Sequence, residues 1–398
     1  MRRQYDELAL PPRLLLGAGP SNPDPRVLRA LALPPLGPLD PIFTPVLDEV
    51  QALARHAFRT RNLRTFPVLG TARAGLDALL AGLIEDGDRV VVVVHGPYGV
   101  RLAETARRYG AVVDSVEAPW GSVVEPDALT ASLRRAPTRL VAAVQADPAT
   151  GAVQPLAPLA AVARAHDALF LADATLSLGG CELDIDAWEI DACAGGLGAC
   201  LAGPVGLAPL TYSEAVEAAL LGRTTPPRAG VLDLVALQDY WSPDRRPSHA
   251  PPSGLIYALR EALRLVHAEG LERRWKRHRR VGDALVAGLQ AMGLRPFGEA
   301  RHRAPMLAVV HAPEGIVEAR VRQQLLLDYG TEISGGLGAL YGRVWRIGAL
   351  GYNARIENVL TLLAALEQIL GAHGHPVAPR AGPDAAQAHY GGAGLEGV

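Results

Sequence analysis

Short apolar segments alternate with amphipathic segments from about residue 60 to residue 212. A continuous apolar run is typical of a strand buried on both faces, and helices between such strands cover a parallel sheet. The pattern therefore predicts an α/β domain around a mainly parallel seven-stranded sheet, with ligands bound where the strands end. The predicted strands are residues 65–69, 89–94, 112–116, 139–144, 168–172, 192–194 and 206–211, with helices at 75–83, 99–109 and 126–135.

After Pro252 the pattern changes to one long helical stretch, residues 253–290, followed by short apolar segments and a last helix. This order predicts a smaller α+β domain with strands near 306–310, 332–334 and 344–347 and a helix at 356–370. The final segment is rich in Gly, Ala and Pro and shows no periodicity, which predicts a flexible tail. The predicted divisions are an N-terminal arm (1–20), a large α/β domain (21–268), a small α+β domain (269–372) and the tail (373–398).

Composition and charge narrow the class of protein and its partners. Hydrophobic residues make up 49% of the 398 positions, enough for a sizeable core, and the net charge is -2. A balanced charge gives no reason to expect nucleic acid or an anionic membrane as partner. The apolar runs are too short to span a membrane, and the first residues lack the apolar core of a signal peptide, so we expect a cytoplasmic protein. Cys181, Cys193 and Cys200 lack metal-type spacing and are expected to be free thiols, with no metal site.

Several short motifs, spread along nearly the whole chain, resemble segments of the same protein family. They are residues 14–21, 39–43, 117–121, 178–180, 184–188 and 344–348. Together they resemble the class V, fold-type I aminotransferases that use pyridoxal phosphate, specifically the alanine/serine-glyoxylate type. The resemblance implies the fold-type I architecture, a homodimer, and a cofactor pocket at the carboxyl ends of the strands.

The resemblance also assigns roles to individual positions. Asp173 matches the aspartate that holds the pyridinium nitrogen, and Tyr98 matches the aromatic ring that stacks on the cofactor. Arg346 matches the arginine that clamps the substrate carboxylate. The helix N-terminus that cradles the phosphate, and further cofactor and substrate positions, correspond to Gly70, Thr71, Ala72, Arg73, Thr175 and Gly19.

The lysine that forms the Schiff base in this family has no counterpart here. Matching residues on both sides, 191–193 and 206–209, leave no gap, and Ala199 occupies the lysine position. Arginine cannot replace it, because a guanidinium stays protonated at physiological pH. Lys276 is the single lysine in the chain and lies in a strongly basic helical stretch, which predicts a solvated surface position.

Other positions of the family's cofactor site differ as well. Losing the glutamine, tyrosine and threonine donors to the phosphate would cost about 4 to 9 kcal/mol of affinity. We therefore expect pyridoxal or pyridoxamine phosphate to bind weakly and non-covalently, or not at all. The replaced positions are Leu197, Gly198, Pro148, Pro247, Ala250 and Arg73.

Three hypotheses of function follow. The first is a homologue that has lost conventional transamination and binds a small carboxylate or phosphate, or a protein partner. The second is an enzyme that acts on a carboxylated substrate without a lysine-linked cofactor, with His95 and His249 as acid/base candidates. The third is a conventional class V aminotransferase, which the missing lysine opposes. Under the second hypothesis, Arg73 and Arg346 are predicted to clamp a dianionic ligand.

Overall fold

The structure is a computed structural model that describes residues 7–246 and 250–392. Within these residues the strands form one seven-stranded sheet and two small sheets. In chain order they are β1 (Leu14–Leu15), β2 (Arg64–Gly70), β3 (Arg89–Val94), β4 (Val112–Glu117), β5 (Leu140–Val144), β6 (Leu169–Ala174), β7 (Ala192–Gly195), β8 (Gly206–Tyr212), β9 (Leu307–His311), β10 (Thr331–Glu332), β11 (Ser334–Gly335) and β12 (Val344–Gly348).

The large sheet has the strand order β2-β8-β7-β6-β5-β3-β4. The pairs among β3 to β7 are parallel, and β8 runs antiparallel to both of its neighbours, β2 and β7. The five valines Val90 to Val94 of β3 are at most 3% exposed, as expected for β-branched residues in a strand covered on both faces. The predicted mainly parallel seven-stranded sheet is confirmed.

Helices connect and cover the strands. The connection from β2 to β3 packs on β2, β7 and β8, and the connection from β3 to β4 packs on β3, β4 and β5. The helices are α1 (Pro25–Leu31), α2 (Thr44–Phe58), α3 (Ala72–Leu83), α4 (Pro97–Arg108), α5 (Pro126–Leu133), α6 (Leu156–Arg164), α7 (Glu214–Leu221), α8 (Leu234–Tyr240), α9 (Ser253–Glu269), α10 (Leu271–Ala291), α11 (Glu318–Tyr329), α12 (Ile356–Ala372) and α13 (Ala381–Gly392).

The C-terminal part has its own core around the sheet β11-β12-β9, packed between α10, α11 and α12. The prediction of one helix over 253–290 is wrong, because the helix breaks at Gly270. This residue has φ +82°, a conformation open to glycine, and it separates α9 from α10. The predicted domain boundary at residue 268 lies beside this break and stays a prediction.

The predicted flexible tail is wrong for residues 381–392, which form α13 against α10 and α12. Small residues make the close approach possible. A Cβ atom added to Gly288 would lie 2.8 Å from the carbonyl oxygen of Gly382, and Ala386 is fully buried. Glycine and alanine, which indicated flexibility by composition, here allow two helices to touch. Residues 393–398 lie outside the described part of the chain, in which no helix is long and apolar enough to cross a membrane.

Candidate ligand-binding site

A cavity of about 310 Å³ lies where several strands of the large sheet end. It brings together predicted site residues that are far apart in sequence. A smaller cavity of about 40 Å³ shares part of its wall and adds Asp77 and Asp173. The predicted residues in the larger cavity wall are Gly19, Thr71, Ala72, Arg73, Tyr98, Thr175 and Ala199.

The N-terminus of α3 forms one side of the larger cavity. Gly70 has φ +123°, and a Cβ there would lie 2.6 Å from the Cβ of Ala74, so both the angle and the space require glycine. Thr71 is the N-cap residue but makes no side-chain capping hydrogen bond, and the first turn of α3 carries no acidic residue. The free N–H groups and the helix dipole therefore favour an anion at this end.

Asp173 lies near the end of β6 and is 3% exposed. Its Oδ1 accepts a hydrogen bond of 2.8 Å from the backbone N–H of Thr175. Burial raises the pKa of Asp173 to about 6, which the hydrogen bonds from Thr175 and the charge of Arg73 only partly oppose. The carboxyl therefore loses its proton near neutral pH and, once ionised, favours a positively charged partner.

Asp147 positions Tyr98 at the start of α4. The fully buried Asp147 carboxylate accepts from the backbone N–H of Tyr98 at 3.0 Å and from those of Ala149 and Thr150. The Arg101 guanidinium carbon lies 5.1 Å from the centroid of the Tyr98 ring, within the range of a cation–π contact. Arg101 therefore joins the cavity wall on the same face of α4 as Tyr98.

Arg346 does not line the cavity. Its Nε donates to the carbonyl oxygen of Gly335 at 2.6 Å, and one terminal nitrogen donates to that of Pro148 at 2.8 Å. The guanidinium is thus held by main-chain carbonyls behind Pro148, which itself lines the cavity. The predicted clamp of Arg73 with Arg346 does not form in this structure, and Arg101 takes the second position beside the cavity.

His95 is fully buried and lies outside the cavity wall. Neither ring nitrogen has a hydrogen-bond partner within the described residues. Burial lowers the pKa of His95, and the charge of Asp147 opposes this in part. A buried imidazole that does not reach the cavity cannot exchange a proton with a ligand there, so the structure does not support His95 as an acid/base group. His249, like Pro247, lies outside the described residues.

Ala199 belongs to a tight turn that follows β7. The Ser21 hydroxyl donates to the Ala199 carbonyl oxygen at 2.9 Å, and Arg274 donates to the carbonyl oxygens of Gly179 and Cys200. These contacts hold the turn in which Ala199 lines the cavity. Lys276 is exposed on α10 and lines none of the cavities described here.

Sequence reasoning missed two residues of this site, Arg101 and Asp147. Arg101 lies three residues after Tyr98 within a helix, a spacing that places two side chains on one face. That spacing could have indicated Arg101. Asp147 lies in a loop, and only the fold shows that its carboxylate accepts from the start of α4.

Pyridoxal phosphate fits this site only in part. The buried carboxyl of Asp173, the ring of Tyr98 and the N-terminus of α3 suit a protonated pyridine and a phosphate. The methyl group of Ala199 offers no amine, so the residues do not fit a covalently held cofactor. Within the described ranges there is also no group of His, Cys, Asp and Glu side chains that could hold a metal ion.

Comparison with known proteins supplies close relatives. The family profile described as Aminotransferase class-V matches residues 44–346. The (S)-ureidoglycine–glyoxylate transaminase of Bacillus subtilis (strain 168) is 41% identical over 385 residues, covering 92% of each chain. An alanine–glyoxylate aminotransferase of Drosophila melanogaster is 34% identical over 368 residues, covering 91% of this chain and 93% of the relative. The crystal structure of the Bacillus subtilis ureidoglycine-glyoxylate aminotransferase superposes with a TM-score of 0.95 at 41% identity, covering 97% of this chain and 100% of that one.

Proposed function

This chain belongs to the class V aminotransferase family, and we propose that it is a member that has lost conventional pyridoxal phosphate-dependent transamination. Its pocket is retained as a binding site for a small carboxylate or phosphate ligand. The proposed assembly is a homodimer, as the sequence resemblance implies, and light scattering of the purified protein tests that assembly directly.

The proposal rests on Ala199, the residue that the family resemblance aligns with the Schiff-base lysine. Ala199 lines the cavity, whereas Lys276, the single lysine of the chain, is exposed on α10. Arginine is abundant, but its guanidinium keeps its proton and does not act as the nucleophile. The fold still has a cavity of about 310 Å³ beside Ala199, which supports a change of role in a folded protein.

A second function is supported by the preserved carboxyl of Asp173. In this alternative the chain is an enzyme that acts on a carboxylated substrate without a lysine-linked cofactor. The relatives are named for reactions with glyoxylate, a small carboxylate, and a substrate of the same kind is proposed for this chain. In this alternative His249 stays the acid/base candidate, because His95 does not reach the cavity.

The experiment uses the wild-type protein and the variant Lys276→Arg, which removes the last ε-amine. Both are mixed with pyridoxal phosphate, scanned for a lysine-linked chromophore, and assayed with alanine or ureidoglycine as amino donor and glyoxylate as acceptor. We expect neither a chromophore specific to the pocket nor turnover. Turnover that is lost in Lys276→Arg would overturn the proposal, and turnover that persists in that variant would favour the second function.

A further inference from the structure

We propose that the 310 Å³ cavity binds a compact dianion between the guanidinium groups of Arg73 and Arg101. Arg101 is thereby a ligand-binding residue and takes the role of second cation that was predicted for Arg346. This inference rests on the proposed function, because it names the ligand class of the same pocket.

The distribution of charge around the cavity carries the inference. Within residues 7–246 and 250–392, Arg73 and Arg101 are the only charged residues in the wall of the larger cavity. The carboxyls of Asp77 and Asp173 line the 40 Å³ cavity, to which both arginines also contribute, and not the larger one. Among the described residues, neither arginine forms an ion pair or a side-chain hydrogen bond. Two guanidinium groups facing one space without a carboxylate favour an anion between them.

The backbone adds to the same preference. Arg73 lies in the first turn of α3, a helix of 12 residues. The N-terminus of this helix, with its free backbone N–H groups, forms one side of the cavity. Thr71, the N-cap residue, leaves these donors without a side-chain acceptor. Arg101 approaches from α4, with its guanidinium near the ring of Tyr98. The positive groups therefore come from two different helices, as two-point recognition of a dianion requires.

The remaining wall indicates the shape of the ligand. Apolar side chains also line the cavity, so an organic ligand would present a short apolar body to them. The volume of about 310 Å³ suits a small molecule. A dicarboxylate of a few carbons meets these conditions, and a phosphate group supplies the same charge without the apolar body. The apolar residues are Leu176, Leu197, Val205 and Leu207.

Arg346 is a poor second cation for this ligand. Turning it into the cavity would break its hydrogen bonds to the carbonyl oxygens of Gly335 and Pro148, at 2.6 and 2.8 Å. Its 8% exposure leaves little water to replace those partners. Arg101 needs no such rearrangement, because it already lines the cavity without an acceptor.

Isothermal titration at neutral pH tests the inference with malonate, inorganic phosphate and the monoanion propionate. We expect the wild type to bind malonate or phosphate about tenfold or more tightly than propionate. Arg73→Gln and Arg101→Gln should each weaken dianion binding by about tenfold or more, the loss of one charged hydrogen-bonding partner. Arg101→Lys, which keeps the charge, should retain part of the affinity. The matched control Arg107→Gln changes an exposed arginine of the same helix and should bind as the wild type does.

The outcomes separate this inference from the proposed function. Equal binding of malonate by wild type and Arg101→Gln would overturn the role of Arg101 and leave the ligand-binding pocket standing. Propionate bound as tightly as malonate and phosphate would overturn the dianion. No binding of any of the three anions by a folded wild type would overturn this inference and the ligand-binding part of the proposed function together. Preferential phosphate binding with loss in Arg101→Gln would support the dianion and identify phosphate as its source.

Discussion

Replacing Asp173 with asparagine should make the protein more stable at neutral and alkaline pH. The family resemblance predicts that Asp173 pairs with a protonated pyridine ring of the cofactor. Without that cation, the ionised carboxylate is buried at 3% exposure with no ion-pair partner among the described residues. Asparagine keeps an oxygen that can accept from the Thr175 N–H and removes the charge.

The size of the effect follows from the pKa. Burial raises the pKa of Asp173 from 3.8 to about 6, so between these values the folded state holds a proton that the unfolded state has released. The contribution of Asp173 to stability therefore falls as pH rises from about 4 to about 6. A difference of about two pKa units corresponds to about 3 kcal/mol above pH 7. Asp173→Asn should recover up to that amount at pH 8 and almost nothing at pH 4.

Urea denaturation from pH 4 to pH 8, with and without pyridoxal phosphate, measures this difference. The control Asp328→Asn changes an exposed aspartate and should shift the curve little at any pH. Two results would refute the argument. The wild type could be more stable than Asp173→Asn at pH 8, or the stability gained by Asp173→Asn could be the same at every pH. If pyridoxal phosphate stabilises the wild type and not the variant, a bound pyridine reaches Asp173 and our expectation of weak cofactor binding is wrong.

Further predictions concern the turn around Ala199, acid stability and the last helix. Arg274→Met should destabilise the protein by about 2 to 6 kcal/mol, because it leaves the carbonyl oxygens of Gly179 and Cys200 without their donor, whereas Arg273→Met on the exposed face should change little; chemical denaturation compares them. Burial lowers the pKa of His278 to about 3, so the contribution of His278 to stability should fall by about 2 kcal/mol between pH 6.5 and pH 4.5, as the unfolded state takes up the proton. The contribution of Asp173 changes in the opposite direction in this range, so the same assay compares His278→Gln with the wild type at each pH, and the stability difference between the two proteins should change by about that amount. Gly288→Val should displace α13 and lower the melting temperature, because even a Cβ there would lie 2.8 Å from the main-chain carbonyl oxygen of Gly382 in α13; Gly371→Ala, with open space around it, is the control, and an equal effect of both changes would contradict the packing argument.

The sequence alone determined the large sheet. Runs such as Val90 to Val94 are apolar without alternation, and only a strand covered on both faces uses such a run, so the local pattern carries the information. It also determined the central chemical fact, since the count of one lysine does not depend on the fold. Both conclusions rest on residue identity and on neighbours in the chain.

The tertiary structure decided which side chains face the cavity. Arg101 lines the cavity, whereas the guanidinium of Arg346 donates to two main-chain carbonyl oxygens outside the cavity wall. Both residues are arginines, and their identity alone does not distinguish these two placements. His95 looked available in a loop and is fully buried. In the same way, only the contact with Gly288 of α10 shows why a residue without a side chain is needed at Gly382 of α13. Burial, hydrogen-bond partners and close helix contacts arise between segments far apart in the chain, so local periodicity could not determine them.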